Sequence, residues 1–142
     1  MLRVTADTNI LLSGMIFPKG KPFQFLELAR EGKINLTVSE PILAEAEDVL
    51  ARKFAWSAEA IADGRRRLQG MARTVRPAVQ LSVIKEDPPD DRILECAVSA
   101  GSDYIVTGDK DLLRLGQYAG IRIISVAAFL DIFQDRDRRG RS

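Results

Sequence analysis

Not one histidine occurs in the 142 residues of this chain, and the absence removes whole classes of chemistry. Without imidazole there is no Ser-His or Cys-His nucleophile, no histidine acid or base, and no nitrogen ligand for a metal. Any cation here must be held by oxygen, which favours the hard ions Mg²⁺ or Mn²⁺ over zinc. The lone cysteine, Cys96, excludes an internal disulfide framework and a multi-cysteine metal site, and it suits a reducing compartment. Long apolar runs are missing too. Stretches such as Ile10 to Leu12 and Ile123 to Ile124 fall far short of the roughly 20 residues that cross a bilayer. Nor does the start show the charged, apolar and small-residue regions of a secretory signal. The expectation is a soluble, cytoplasmic protein without a membrane partner.

What is present fits one domain. With 46% hydrophobic residues, the chain can bury a core, but a second full domain would not fit. The reading is a domain over residues 1–134 followed by a charged, disordered tail, 135–142, holding Arg136, Arg138, Arg139 and Arg141. Net charge is +1 and says nothing of nucleic acid, but its distribution is uneven. From Arg52 to Arg76 seven basic residues face Glu59 and Asp63, whereas four of the six residues from Glu86 to Asp91 are carboxylates. Segregation of this kind can place a cation beside a polyanion.

Along the chain, Leu2, Val4 and Ala6 alternate with Arg3 and Thr5 and predict a first strand that ends at Asp7-Thr8-Asn9. A loop around Gly14, Pro18, Gly20 and Pro22 precedes a helix over Phe23 to Glu31, stopped by Gly32. Ile34 to Val38 reads as a strand. Ser39 caps a helix from Glu40 to Lys53, and Ser57 caps another from Ala58 to Met71 that carries Arg65, Arg66 and Arg67. Val79 to Ile84 reads as a strand, and Pro88-Pro89 as an extended loop before a helix from Asp91 to Ala100. Tyr104 to Thr107 is a strand, Lys110 to Leu115 a short helix, Ile121 to Ile124 a strand, and Ser125 caps a last helix to Phe133. Strands alternating with helices predict an α/β fold, a three-layer α/β/α sandwich around a parallel sheet. Such sheets bind ligands beyond the carboxyl ends of their strands.

Asp7 and Asp109 each follow a strand, and Asp90 stands where the helix before the second of those strands begins. A parallel sheet brings these points to one edge. Carboxylates gathered without basic partners repel one another, so the gathering is costly unless a cation neutralises it. A bound Mg²⁺ or Mn²⁺ polarises a phosphate oxygen and activates water, which lets a site without histidine hydrolyse a phosphodiester.

Four segments together carry a resemblance. They are Asp7-Thr8-Asn9; Val38-Ser39 with Leu43-Ala44-Glu45; Asp87-Pro88-Pro89-Asp90-Asp91 with Ile93-Leu94-Glu95-Cys96-Ala97; and Tyr104-Ile105-Val106-Thr107-Gly108-Asp109-Lys110-Asp111-Leu112-Leu113. In this order the chain resembles the PIN domain family, and within it the toxins of toxin-antitoxin systems of the VapC type. The resemblance implies a five-stranded parallel sheet of Rossmann type. It implies a metal-dependent endoribonuclease that hydrolyses single-stranded RNA and leaves a 5′-phosphate and a 3′-hydroxyl. Its catalytic and metal-holding acids would be Asp7, Glu45, Asp90 and Asp109 around Mg²⁺ or Mn²⁺, with Asp91 and Asp111 as secondary candidates. Asn9 and Thr107 would orient carboxylates or a bound water by hydrogen bonds. A cognate antitoxin protein and a homodimer are further implications.

Some choices stay open on residues alone. Glu45 and Glu47 flank the same apolar stripe, and only the motif selects Glu45. Asp90 and Asp91 are adjacent. Outside a ligand role, Asp91, Asp103 and Asp111 read as solvated acids, and Asp90 as a helix cap. Arg65, Arg66 and Arg67 are either a wet helix face or a stripe for RNA phosphates, and Cys96 is a buried structural thiol. The competing function is a catalytically inactive PIN-like module that binds RNA or a protein. A receiver domain or a dehalogenase-like phosphatase fits poorly, because no second acid follows Asp7 and position 9 is asparagine.

Overall fold

The computed structural model of the chain describes residues 1–84 and 88–140; Glu86 and Asp87 of the acidic run, and Arg141 of the tail, lie outside them. Its order is β1 (Arg3–Ala6), α1 (Thr8–Ile16), α2 (Lys21–Arg30), β2 (Asn35–Ser39), α3 (Glu40–Phe54), α4 (Ala58–Met71), β3 (Ala72–Val75), α5 (Pro88–Ala100), β4 (Tyr104–Val106), α6 (Lys110–Leu115), β5 (Gln117–Tyr118), β6 (Ile121–Ile124) and α7 (Val126–Gly140). The strands form one sheet in the order β3-β2-β1-β4-β6-β5. Five of them run parallel, as expected. The sixth, two-residue β5, turns back antiparallel on β6.

This order fixes where a ligand can sit. From β1 through β2 to β3 the chain steps outward on one side, then returns across β1 to place β4 on the other. Right-handed crossovers in opposite directions put their helices on opposite faces. So α5 covers one face, packing on β1 to β4, while α1 to α4 lie on the other, where α7 packs on α2. The reversal opens a crevice between the carboxyl ends of β1 and β4. Between the layers Phe25 meets Phe129 edge-on at 5.4 Å, and Phe129 meets Tyr104 at 5.8 Å.

Five local expectations are corrected. Asp7-Thr8-Asn9 does not open a loop; it starts α1, with the Asp7 carboxylate capping the Asn9 N–H at 3.2 Å. Gly14 is a packing residue within that helix, since a Cβ there would lie 2.5 Å from Leu26 Cδ1 and 2.9 Å from the Pro22 carbonyl oxygen. Helix α5 starts at Pro88, not Asp91, and proline is tolerated in a first turn because its missing N–H has no partner there anyway. The tail is no coil as far as described: α7 continues to Gly140, with opposite charges such as Asp135 and Arg138 or Arg139 three and four residues apart. The expected caps Ser39, Ser57 and Ser125 accept from Ile42, Ala60 and Ala128 N–H groups.

The fifth correction concerns Val79 to Ile84, which forms no strand; the strand lies earlier, at β3. Side chains of α5 hold the segment instead. Asp91 Oδ1 accepts from both Val83 and Ile84 N–H at 2.9 Å, Glu95 Oε2 from Leu81 N–H at 2.7 Å, and Ser99 Oγ from Ala78 N–H at 3.2 Å. A spacing of four residues puts these three acceptors on one helix face. Asp91, far from being a solvated surface acid, is 3% exposed. Asp91→Ala should therefore strand two N–H donors and cost about 2–3 kcal/mol, lowering the thermal midpoint by about 5–10 °C. A thermal scan of the variant measures it.

On its other side α5 covers a polar patch of the sheet. Thr5 Oγ1 lies 2.8 Å from both Thr37 Oγ1 and Ser102 Oγ, and 4.0 Å from Cys96 Sγ, all buried. Burial pushes the Cys96 thiol up to about 11 from 9.0, and hydrogen bonds from Thr5, Ser39 and Thr37 oppose this only in part. In the unfolded chain the thiol ionises near its ordinary value, so the unfolded state sheds a proton that the native state keeps. Stability from this group is full below pH 9 and is lost as pH rises through about 11. Alkylation by iodoacetamide at pH 8 should be negligible in the native protein and rapid in urea, because only the thiolate attacks.

Candidate active site

Two of the expected acids stand at the crevice because adjacent strands deliver them. Asp7 follows β1 and donates its backbone N–H to the Val106 carbonyl at 2.9 Å, extending the β1–β4 pairing by one residue. Asp109 follows β4 and caps α6, its Oδ2 accepting from Leu112 N–H at 3.0 Å. Between them lies Thr107, fully buried. Its hydroxyl donates to Asp7 Oδ2 at 2.6 Å and accepts the Asp109 N–H at 2.9 Å. One hydroxyl thus ties the Asp7 carboxylate to the backbone of Asp109 at the end of the neighbouring strand.

The tightest acidic grouping among the described residues is Asp90, Asp109 and Asp111, whose carboxylates each offer an oxygen within 4.8 Å of the others. Opposite ligands of a Mg²⁺ ion stand about 4.2 Å apart, and the ion accepts oxygen donors only of this kind. The trio therefore fits a hard divalent cation with little adjustment. Asp90 is buried and Asp111 half-buried. Asp7 and Glu45 are not in this trio. Asp7 is joined to it through Thr107. Glu45 accepts from the Thr8 hydroxyl at 3.2 Å, beside Asp7 in sequence.

The paired candidates differ in what each residue touches. Asp91 spends Oδ1 on the Val83 and Ile84 amides, whereas Asp90, one position earlier, joins Asp109 and Asp111. Glu47 pairs with Arg65 at 2.5 Å, so of the two glutamates it is Glu45 that meets α1. Asn9 acts on Asp7 through its backbone N–H. The residue the sequence reading missed is Thr8, which lies inside the first motif segment but was given no role of its own; its hydroxyl is what meets Glu45. The arginines of α4 have different partners: Arg65 bridges Glu40 and Glu47 on α3, Arg66 pairs with Asp63 on its own helix, and Arg67 lines a groove with Phe23 and Leu26. Those carboxylates hold the Arg65 guanidinium above its usual range, the Glu40 hydrogen bond contributing most.

With this geometry in view, comparison with known proteins is informative. A chain of VapBC2 from Rickettsia felis, solved by crystallography bound to a DNA fragment from their promoter, superimposes with a TM-score of 0.64. The alignment covers 86% of this chain and 97% of that one at 12% identity, so it attests the fold. An uncharacterised protein of Methanocaldococcus jannaschii is 29% identical over 118 residues, 80% of this chain and 75% of that protein. The PIN domain signature matches residues 3–111, a span from the first strand through the last acid of the trio. On that match, and with the sheet and its acidic edge in agreement, this chain belongs to the PIN domain family.

Proposed function

We propose that the chain is a Mg²⁺- or Mn²⁺-dependent endoribonuclease that hydrolyses phosphodiester bonds of single-stranded RNA, and that it serves as the toxin of an antitoxin-controlled pair. PIN domains are generally nucleases that use divalent metal ions. The observation that carries the reading is the convergence of Asp90, Asp109 and Asp111 within 4.8 Å at the sheet's switch point, tied by one threonine to a buried fourth acid, Asp7. Pairing with an antitoxin is supported by the fold shared with a VapBC2 chain, and self-association accompanies that reading. No described helix is long and apolar enough to cross a membrane.

In this reading Asp90, Asp109 and Asp111 hold a cation, with Asp7 and Glu45 completing the acidic floor. When bound, the ion supplies Lewis-acid polarisation of a phosphate oxygen and activation of water. The chain's own part is positional. The Asp7 carboxylate accepts from Asn9 N–H and the Thr107 hydroxyl. These two hydrogen bonds, one from its own helix and one from the neighbouring strand, keep Asp7 oriented. Asp109 is fixed in the same way by the α6 amide it caps.

Three measurements test this. A labelled pool of single-stranded RNA should be cut with Mg²⁺ or Mn²⁺ and left intact in EDTA, and Asp7→Asn and Asp109→Asn should each abolish cutting while remaining folded. Intact RNA with every metal would turn the assignment toward an inactive binding module. Mn²⁺ at about 100 times its Kd should stabilise the native state by about 2.7 kcal/mol, read as an upward thermal shift that Asp109→Asn removes. Thr107→Val keeps the side chain's shape but cuts the link between Asp7 and Asp109. It should weaken Mn²⁺ binding about 10- to 100-fold, measured by calorimetry without substrate.

A further inference from the structure

Asp111 belongs to two features at once. It completes the trio with Asp90 and Asp109, and it forms the rim of a groove of about 320 Å³ whose other lining residues are Val83, Ile84, Arg114 and Leu115. The groove opens directly beside the acids. Its apolar lining comes from Val83 and Ile84, whose amides Asp91 pins, and from Leu115 of α6. Arg114 also lines it, 77% exposed, its Nη1 3.4 Å from Asp111 Oδ1.

That ion pair is long, exposed and three residues apart in sequence, a kind that contributes ~1 kcal/mol or less. A phosphate offers the guanidinium a stronger, bidentate partner. The groove's size lies at the small end for ligand sites and suits one flat heterocycle. Apolar walls, one exposed guanidinium and an adjoining acidic trio are complementary to one nucleotide of a chain. Its base would face the walls, its phosphate the arginine, and the next phosphodiester the acids. A protein segment would need a longer apolar channel than these residues offer.

We infer that this groove is a nucleotide subsite of the nuclease, on the α6 side of the acids, with Arg114 as its phosphate-binding residue. The inference rests on the reading of the site as a nuclease and adds how it takes hold of substrate. Two consequences follow. The base must leave any stack to enter, so single strands bind and duplexes do not. None of the walls of Val83, Ile84 and Leu115 carries a side-chain hydrogen-bonding group, so the subsite senses that a base is present and tolerates which one it is.

The test is fluorescence anisotropy with a 5′-labelled eight-nucleotide single-stranded RNA and full-length protein in Mg²⁺, on an Asp7→Asn background that leaves the RNA whole. Arg114→Gln should weaken binding about tenfold and reduce the salt slope by about 0.7, the release expected for one single-strand phosphate. One abasic position in the RNA should cost about tenfold, exchanging that base should cost little, and Leu115→Ala should abolish the difference between abasic and intact strands. Arg66→Gln, on α4, should leave all of this unchanged. Unaltered affinity and salt slope in Arg114→Gln, equal binding of duplex, or no binding of RNA at all would overturn the subsite. If wild-type protein cuts RNA while Arg114→Gln binds normally, the subsite falls and the nuclease stands. If binding depends on Arg114 but no metal supports cutting, the subsite stands and the catalytic reading falls.

Discussion

The hydroxyl of Thr107 is where the two halves of the site are joined. It donates to Asp7 and accepts from the Asp109 amide, so neither acid can move without disturbing the other. A hydroxyl can do this because it is both donor and acceptor; valine would fill the same space and connect nothing. The link also depends on the sheet. Asp7 and Val106 are hydrogen-bonded neighbours only because β1 and β4 are adjacent in parallel register, and they are adjacent only because the chain reverses direction after β3. A bond of 2.6 Å thus reports on topology laid down across 100 residues.

Helix α5 is the second organising element, and its functions separate by face. Asp90 in its first turn enters the acidic trio. Asp91, Glu95 and Ser99 hold the extended segment ahead of the helix, while Cys96 is set over the hydroxyls of Thr5 and Thr37. The same helix therefore supplies a site acid and secures the apolar wall that stands next to it. Adjacent aspartates that look interchangeable in sequence point about 100° apart around a helix, and that rotation sends one to the acids and the other to the amides of Val83 and Ile84.

How much of this was legible follows from which interactions are local. Strand–helix alternation, the serine caps and the acids after β1 and β4 depend on near neighbours, and the sequence showed them. Helix α1 was hidden because its residues are apolar almost all round: Ile10, Leu11 and Leu12 are buried together, which leaves no amphipathic period to read. Val79 to Ile84 looked like a strand because Val79, Leu81 and Val83 alternate with Gln80 and Ser82, but its hydrogen bonds go to side chains of a helix. No pattern within the segment reveals that. Asp111 was ranked below Asp7 and Glu45, yet it is Asp111 that meets Asp90 and Asp109. A helix of six residues puts positions 109 and 111 close together whichever motif they belong to.

Charge shows the same limit from another direction. The basic run from Arg52 to Arg76, with Arg65, Arg66 and Arg67 on α4, invited a nucleic-acid role because seven cations lie close in sequence, but Arg65 is already matched across the helices by Glu40 and Glu47. Arg65, which holds helix to helix, is not available to a phosphate without breaking that packing, whereas Arg114, with a weak local partner beside the acids, is. For a polyanion approaching an acidic edge, what counts is which positive charge can be released beside the acids. Local density of arginine in the sequence does not measure that; the strength of each arginine's existing partner does.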